Sequence, residues 1–173
     1  MSPELQVKAL GSAEPGEFVR HDHGQDVLRG IVVGCPVSLC KSERLLMLLD
    51  PFAQSPSSLM GCCLVADVFI DHEVVSYGAP LLIVPHAHAV IPFWNIQGLP
   101  TAGILGLAKG GRAIRSKVVD DRFRHGFYVD VDTWTVMPSF QPAFAVSSWE
   151  LRLPFEARIG TPPQPLFVFS SGA

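Results

Sequence analysis

Fifteen glycines and fifteen prolines are spread through the 173 residues of this chain. They cut it into apolar pieces of roughly four to eight residues, the length of single strands. Val, Ile, Phe and Leu fill most of these pieces. No heptad, no internal repeat and no long amphipathic helix joins them. The expected fold class is therefore all-β, a sandwich or barrel with at most short helical turns, and a doubly wound α/β sheet is not expected.

Taken in order, strands are predicted at Leu5 to Ala9, at Val27 to Val33 continuing through Pro36 to Leu39, and at Gly61 to Phe69. Further strands are predicted at Glu73 to Val75, Pro80 to Val84, Ala89 to Trp94, Gly103 to Leu107, Ala113 to Val119 and Gly126 to Val131. Phe144 to Val146, Trp149 to Phe155 and Leu166 to Phe169 complete the set. Phe18 to Asp26, with His21, Asp22 and His23, reads as polar and turn-like. Ser42 to Leu49, SERLLMLL, has a Ser cap and good helix formers but is too short to separate a helical turn from a buried strand. Asp50 to Ser58 is a Pro- and Ser-rich connection.

One domain spanning 1–173 is expected, with 1–58 as an N-terminal extension, and this length buries about two thirds of the unfolded surface. Hydrophobic residues make up 48% and charged residues 17%, so some apolar surface is left for an interface with another subunit or protein. No run approaches the roughly twenty apolar residues that span a bilayer, and the N-terminus lacks signal architecture, so an intracellular protein without a membrane segment is expected. The four cysteines, Cys35, Cys40, Cys62 and Cys63, are sparse and read as free buried thiols; their spacing does not suit a four-thiolate zinc site.

Charge is unevenly distributed. The stretch Gly103 to Val131 holds six of the thirteen Lys and Arg residues (Lys109, Arg112, Arg115, Lys117, Arg122, Arg124) against Asp120, Asp121 and Asp130, in a chain of net charge −3. A basic island in an acidic protein suggests an anion-binding surface, whereas a solvated hairpin would use the same charges to keep an edge soluble. Asp120 and Asp121 also fit a hairpin turn. With Phe123 and Phe127 as stacking groups a nucleic acid is conceivable, but the overall acidity favours a small phosphate or a protein partner. His21-x-His23 and His86-x-His88 each place two imidazoles on one face of an extended segment, an arrangement able to bind a transition metal. No carboxylate follows in Ala89 to Trp94, so the histidines read as loop residues and no metal is expected. No Gly-x-Ser-x-Gly elbow supports a nucleophilic serine.

Between Leu81 and Val131 the chain resembles the dUTP pyrophosphatase and dCTP deaminase superfamily of pyrimidine deoxynucleotide enzymes. Ile83-Val84-Pro85-His86 and Val90-Ile91-Pro92 stand at the spacing of that family's proline-bearing strands, and Leu99-Pro100-Thr101-Ala102-Gly103 matches its next turn. Where the family carries Arg-Ser-Ser or Arg-Ser-Gly before Leu-Ala, this chain has Ile104, Leu105 and Gly106 before Leu107-Ala108. Val118-Val119-Asp120-Asp121-Arg122-Phe123 matches the following motif, with His125 in place of a glycine. The resemblance implies a dUTPase-like β-barrel, a distorted jelly roll. It implies that Asp120 positions water and the sugar hydroxyl, that Phe123 lies under the sugar, and that Asp130 stands near the catalytic glutamate of the deaminase branch. Lys109, Arg112, Arg115 and Arg124 would then bind substrate.

The departures weigh on activity. Each charged hydrogen bond missing from a buried triphosphate site costs about 1.5 to 3 kcal/mol. Arg115-Ser116 comes too late to replace the pair, and Phe169-Ser170-Ser171-Gly172 is at most a remnant of the family's phosphate-closing tail. Some relatives in DNA viruses keep the barrel, lose the nucleotide motifs and act through protein contacts. The expected function is accordingly that of a diverged dUTPase-like binding or regulatory protein without a cofactor. The alternative is an active dUTP pyrophosphatase or dCTP deaminase, with Mg²⁺ as cofactor and a homotrimer to complete its sites; a structural jelly-roll subunit is the third reading.

Overall fold

The computed structural model describes residues 5–23, 26–36, 38–39, 44–49, 63–66, 71–78, 81–95, 102–118, 127–137, 139–153 and 164–171. Among these, every regular element is a strand or a short 3-10 turn, so the chain is all-β. The strands are β1 (Gln6–Ala9), β2 (Phe18–His23), β3 (Asp26–Gly34), β4 (Arg44–Leu48), β5 (Cys63–Ala66), β6 (Glu73–Ser76), β7 (Leu82–Pro85) and β8 (Val90–Pro92). They continue with β9 (Leu105–Ala108), β10 (Gly111–Val118), β11 (Phe127–Asp130), β12 (Thr135–Met137), β13 (Phe144–Val146), β14 (Ser148–Arg152) and β15 (Phe167–Ser170).

Twelve strands form one sheet in the order β1-β6-β2-β3-β12-β11-β10-β9-β13-β8, with β4 joining β3 to β5 and β5 leaning on β10. Six of them, β3, β4, β5, β10, β11 and β12, are linked in a circuit. Two of those links are short: Thr135 opposite Gly34, and Lys117 and Val118 opposite Cys63 and Leu64. Because the circuit is held by these two short ladders, the sheet is strongly curved but is not the regular closed barrel expected from sequence. A second sheet has three strands, β15-β14-β7.

A two-stranded ribbon connects the sheets. β7 pairs with β14 and β8 with β13, so the chain passes from the small sheet to the large one at His86–Ala89 and back again at Ser147. Ala89 N–H donates to His86 O and Ser147 N–H to Ala89 O, which keeps backbone groups satisfied through the bend.

Side-chain alternation explains both the successes and the ambiguities of the sequence pattern. In β3, Ile31 and Val33 enter one apolar cluster while Leu28 and Val32 enter another on the opposite face. In β4, Leu45 and Met47 go to the first cluster and Leu46 and Leu48 to the second. A strand buried on both faces needs no polar alternation. That is why SERLLMLL carried no period, and why its described part is a strand. β2 lies where a polar turn was expected: Phe18 and Val19 are buried on opposite faces, and the strand continues outward through His21 and Asp22. The described part of Pro36 to Leu39 is a turn instead of a strand, closed by Leu39 N–H on Pro36 O at 2.8 Å. Cys35, expected as a free thiol, is disulfide-bonded, its partner lying outside the described side chains.

The two sheets meet over Trp149. Its indole is fully buried, stacks on Phe169 with centroids 5.5 Å apart, and donates Nε1–H to Gly103 O at 2.7 Å. Gly103 has φ +96°, and a Cβ there would lie 2.1 Å from the Phe169 ring. Only glycine meets both demands. A second tie sits at the other end. Glu17 is buried, accepts hydrogen bonds from Lys8 Nζ at 2.9 Å, from Glu14 N–H at 3.1 Å and from the Ser76 hydroxyl, and so joins β1, the loop before β2, and β6. Burial pushes its carboxyl pKa up, but the hydrogen bonds from Lys8, Ser76 and Glu14, with the Lys8 charge, outweigh this and hold it below the ordinary 4.5.

Two stability experiments follow from these ties. Gly103→Ala should lose at least about 2 kcal/mol in urea unfolding, from strain and overlap together. Gly78→Ala, where φ is +76° and no atom lies within 4 Å of the added Cβ, should lose only about 1 kcal/mol from the backbone alone; equal losses would exclude the Phe169 overlap as a cause. Glu17→Gln should cost about 1 to 3 kcal/mol at neutral pH. Because the folded pKa is depressed, the wild-type advantage is complete above pH 4.5 and disappears as pH falls through the folded value. A stability difference that persisted unchanged into strong acid would contradict this.

Candidate functional site

The basic hairpin is the first place to look for chemistry. Lys109 stands exposed at the tip of the β9–β10 turn. Arg112 and Arg115 are three residues apart on β10, so they leave the strand on opposite faces. Arg112 Nη2 lies 2.6 Å from Asp132 Oδ1, while the Arg115 guanidinium lies over the Tyr128 ring at 5.1 Å from its centroid. The structure does not gather these three cations on one surface. Ser116, beside Arg115, turns its hydroxyl into the core, 3.3 Å from Met47 Sδ.

Asp130 ends β11 and caps the turn into β12. Its Oδ1 accepts Asp132 N–H at 2.8 Å and Thr133 N–H at 3.3 Å, and Trp134 completes the turn with φ +53°. The role that sequence reading offered for Asp120 and Asp121 is played here by Asp130. Asp120, Phe123 and Arg124, with Asp121, Arg122 and His125, lie outside the described residues. Ile104 and Leu105 are only 8% and 0% exposed, and Gly106 is closed over by Phe140 and Pro142.

Two polar clusters gather around the histidines of the two His-x-His segments. At the ribbon bend His86 Nδ1 is 2.8 Å from Ser148 Oγ, and Glu150 accepts Arg152 Nε–H at 2.7 Å. His88 stacks on His86 at 5.6 Å. The His86 Nε2 to Glu150 Oε2 separation is 3.8 Å, too long for a proton relay, and Arg152 already neutralises the carboxylate. Ser148 is therefore a hydrogen-bonded surface serine without an activated hydroxyl.

The second cluster lines an open cleft of about 430 Å³ bounded by Val7, Arg20, His21, Asp22, His72, Glu73, Val74 and Val75. β2 and β6 pair here, with Arg20 opposite Val75, so His21 arrives beside the turn that carries His72. His21 Nδ1 is 3.0 Å from Glu73 O, and His21 Nε2 is 3.2 Å from His72 Nδ1. A carbonyl only accepts, so the His21 proton sits on Nδ1 and Nε2 presents a lone pair to His72. Arg20 Nε donates to Asp22 Oδ1 at 3.1 Å on the same rim. Sequence reading had noted His21 but paired it with His23. Its real partner is 51 residues away and is brought in only by the β2–β6 ladder.

On the far side, Trp94 is 74% exposed and lies 6.5 Å from Phe144, with Ile91 also exposed nearby on β8. Among the described residues no helix is long and apolar enough to cross a membrane. Comparison with known proteins gives no matching family model, no similar curated protein and no similar solved structure.

The turn role of Asp130 is testable. Asp130→Ala should lower stability by about 1 kcal/mol in thermal or urea unfolding, while Asp130→Asn, which keeps the accepting oxygen, should restore most of it. Failure of asparagine to restore stability would show that the charge matters in some way other than turn capping.

Proposed function

We propose that the protein is a diverged dUTPase-like β-protein whose nucleotide site is degraded and which works by binding another protein. One observation carries the reading. Ile104, Leu105 and Gly106 occupy the positions where the resembled family holds Arg and Ser against a triphosphate, and here they are packed into the core. A triphosphate brings several charges, and an apolar wall in place of a guanidinium leaves them unpaired at several kcal/mol. The neighbouring cations fit the same reading. Arg112 is held by Asp132, Arg115 is spread over Tyr128, and the Ser116 hydroxyl is buried.

Binding to a protein is favoured by the exposed aromatic surface of Trp94 and Phe144, since a large indole left in water at a sheet end is a common anchor in protein interfaces. The deciding experiment is incubation with dUTP and with dCTP in the presence of Mg²⁺. No pyrophosphate and no ammonia should be released, and Asp120→Asn should change nothing. Release of either product by the wild type, abolished in Asp120→Asn, would replace this reading with that of a working deoxynucleotide enzyme.

A further inference from the structure

The geometry points to a divalent transition-metal site formed by His21 Nε2 and His72 Nδ1 in the cleft between β2 and β6. The two nitrogens are 3.2 Å apart. Two imidazole nitrogens bound at 2.0 to 2.1 Å to one tetrahedral ion lie about 3.3 Å from each other, so the rings already hold the spacing that a shared ion requires. Their planes are inclined by 66° with centroids 5.0 Å apart, an edge-on contact.

A second feature sets this pair apart from two histidines that merely touch. The Nδ1–H of His21 donates to Glu73 O at 3.0 Å. A hydrogen bond from the remote ring nitrogen to a backbone carbonyl fixes the tautomer and orientation of a metal-binding histidine and raises the basicity of the nitrogen that binds. Glu73 O belongs to β6 and His21 to β2, so the ladder between these strands holds the orientation before any ion arrives.

Entry and charge suit a cation. The cleft is open and about 430 Å³ in volume, and Asp22, Glu73 and Arg20 are among its lining residues, with Arg20 engaged by Asp22. Among the described residues no group of three or more His, Cys, Asp or Glu side chains is arranged around one ion. Without metal, His72 Nδ1–H donates to His21 Nε2. On binding, the Nδ1 proton is displaced and His72 carries its one proton on Nε2, with the ion off the line between the two nitrogens and bonded to both. Imidazole donors select Zn²⁺, Cu²⁺ or Ni²⁺ over Mg²⁺ or Ca²⁺. This site is independent of the nucleotide reading, and neither stands or falls with the other.

The test is calorimetric titration of the full chain with ZnCl₂ at pH 7.5. One saturable site is expected, with affinity reduced roughly tenfold or more in His21→Ala and in His72→Ala. His88→Ala, which alters the other imidazole pair, should leave that site unchanged. Imidazole ¹⁵N spectra of the wild type provide a reading that does not depend on a variant folding: zinc should shift His21 Nε2 and His72 Nδ1 together. Absence of saturable binding, zinc shifts confined to other histidines, or a loss as large in His88→Ala as in His72→Ala would overturn the assignment, as would a response to MgCl₂ equal to that to ZnCl₂.

Discussion

The hydrogen bond from Trp149 Nε1 to the Gly103 carbonyl, closed over by Phe169, is the contact on which the two-sheet arrangement depends. Trp149 belongs to the three-stranded sheet, and Gly103 leads into β9 of the large one. A buried indole N–H without an acceptor costs about 1 to 3 kcal/mol, so the pairing decides where the small sheet can sit. Gly103 also accepts a constraint from the other side, because its own N–H donates to Arg115 O at 2.7 Å. The start of the basic hairpin is therefore pinned between the core tryptophan and β10. This is the physical reason that Ile104 and Leu105 are interior residues.

Surface chemistry follows from where the sheets end. β8 is an edge strand, and Ala89, Ile91 and Phe93 turn their backbone groups towards β13. Of the outward positions, Val90 spends its N–H on Ala87 O in a 3-10 turn and Pro92 has none. The edge thus offers no donor to an added strand, the protection that soluble β proteins need. Trp94 and Phe144 remain beside it as exposed apolar side chains, so contact at this end is made by rings and not by backbone pairing. At the opposite end of the large sheet, β1, β6 and β2 leave an open cleft whose polar groups are imidazoles and carboxylates. The two ends offer different chemistry because one strand-end is sealed by proline and aromatic residues and the other by a turn carrying His72.

Much of the strand pattern was legible. Phe144–Val146 stands as expected from sequence, Glu73 and Phe127–Asp130 begin or occupy predicted strands, and β10 (Gly111–Val118) starts two residues before the strand predicted from Ala113, because their apolar residues alternate or run between clear turn signals. β2 was missed because its outer half, His21-Asp22-His23, is polar on both faces where it overhangs the core. Ser42 to Leu49 was ambiguous because its described strand is buried on both faces, and periodicity is then lost. Of the expected site, Arg112 and Arg115 are candidates for substrate binding and Asp130 for catalysis, but a list of charges does not show which of them neutralise one another. Arg112 meets Asp132, and Asp130 meets its own turn.

The sequence by itself determined that this chain is all-β, broken into short strands by glycine and proline, with six of its thirteen Lys and Arg residues in the stretch Gly103 to Val131; these are local properties of composition and spacing. Only the tertiary structure decided that the sheet curves strongly with only two short ladders completing its circuit, that Cys35 forms a disulfide, and that His21 meets His72. Each of these depends on which distant strands pair and in what register. Register follows from the packing of Trp149, Phe169 and the double-faced strands β3 and β4, which no single segment encodes.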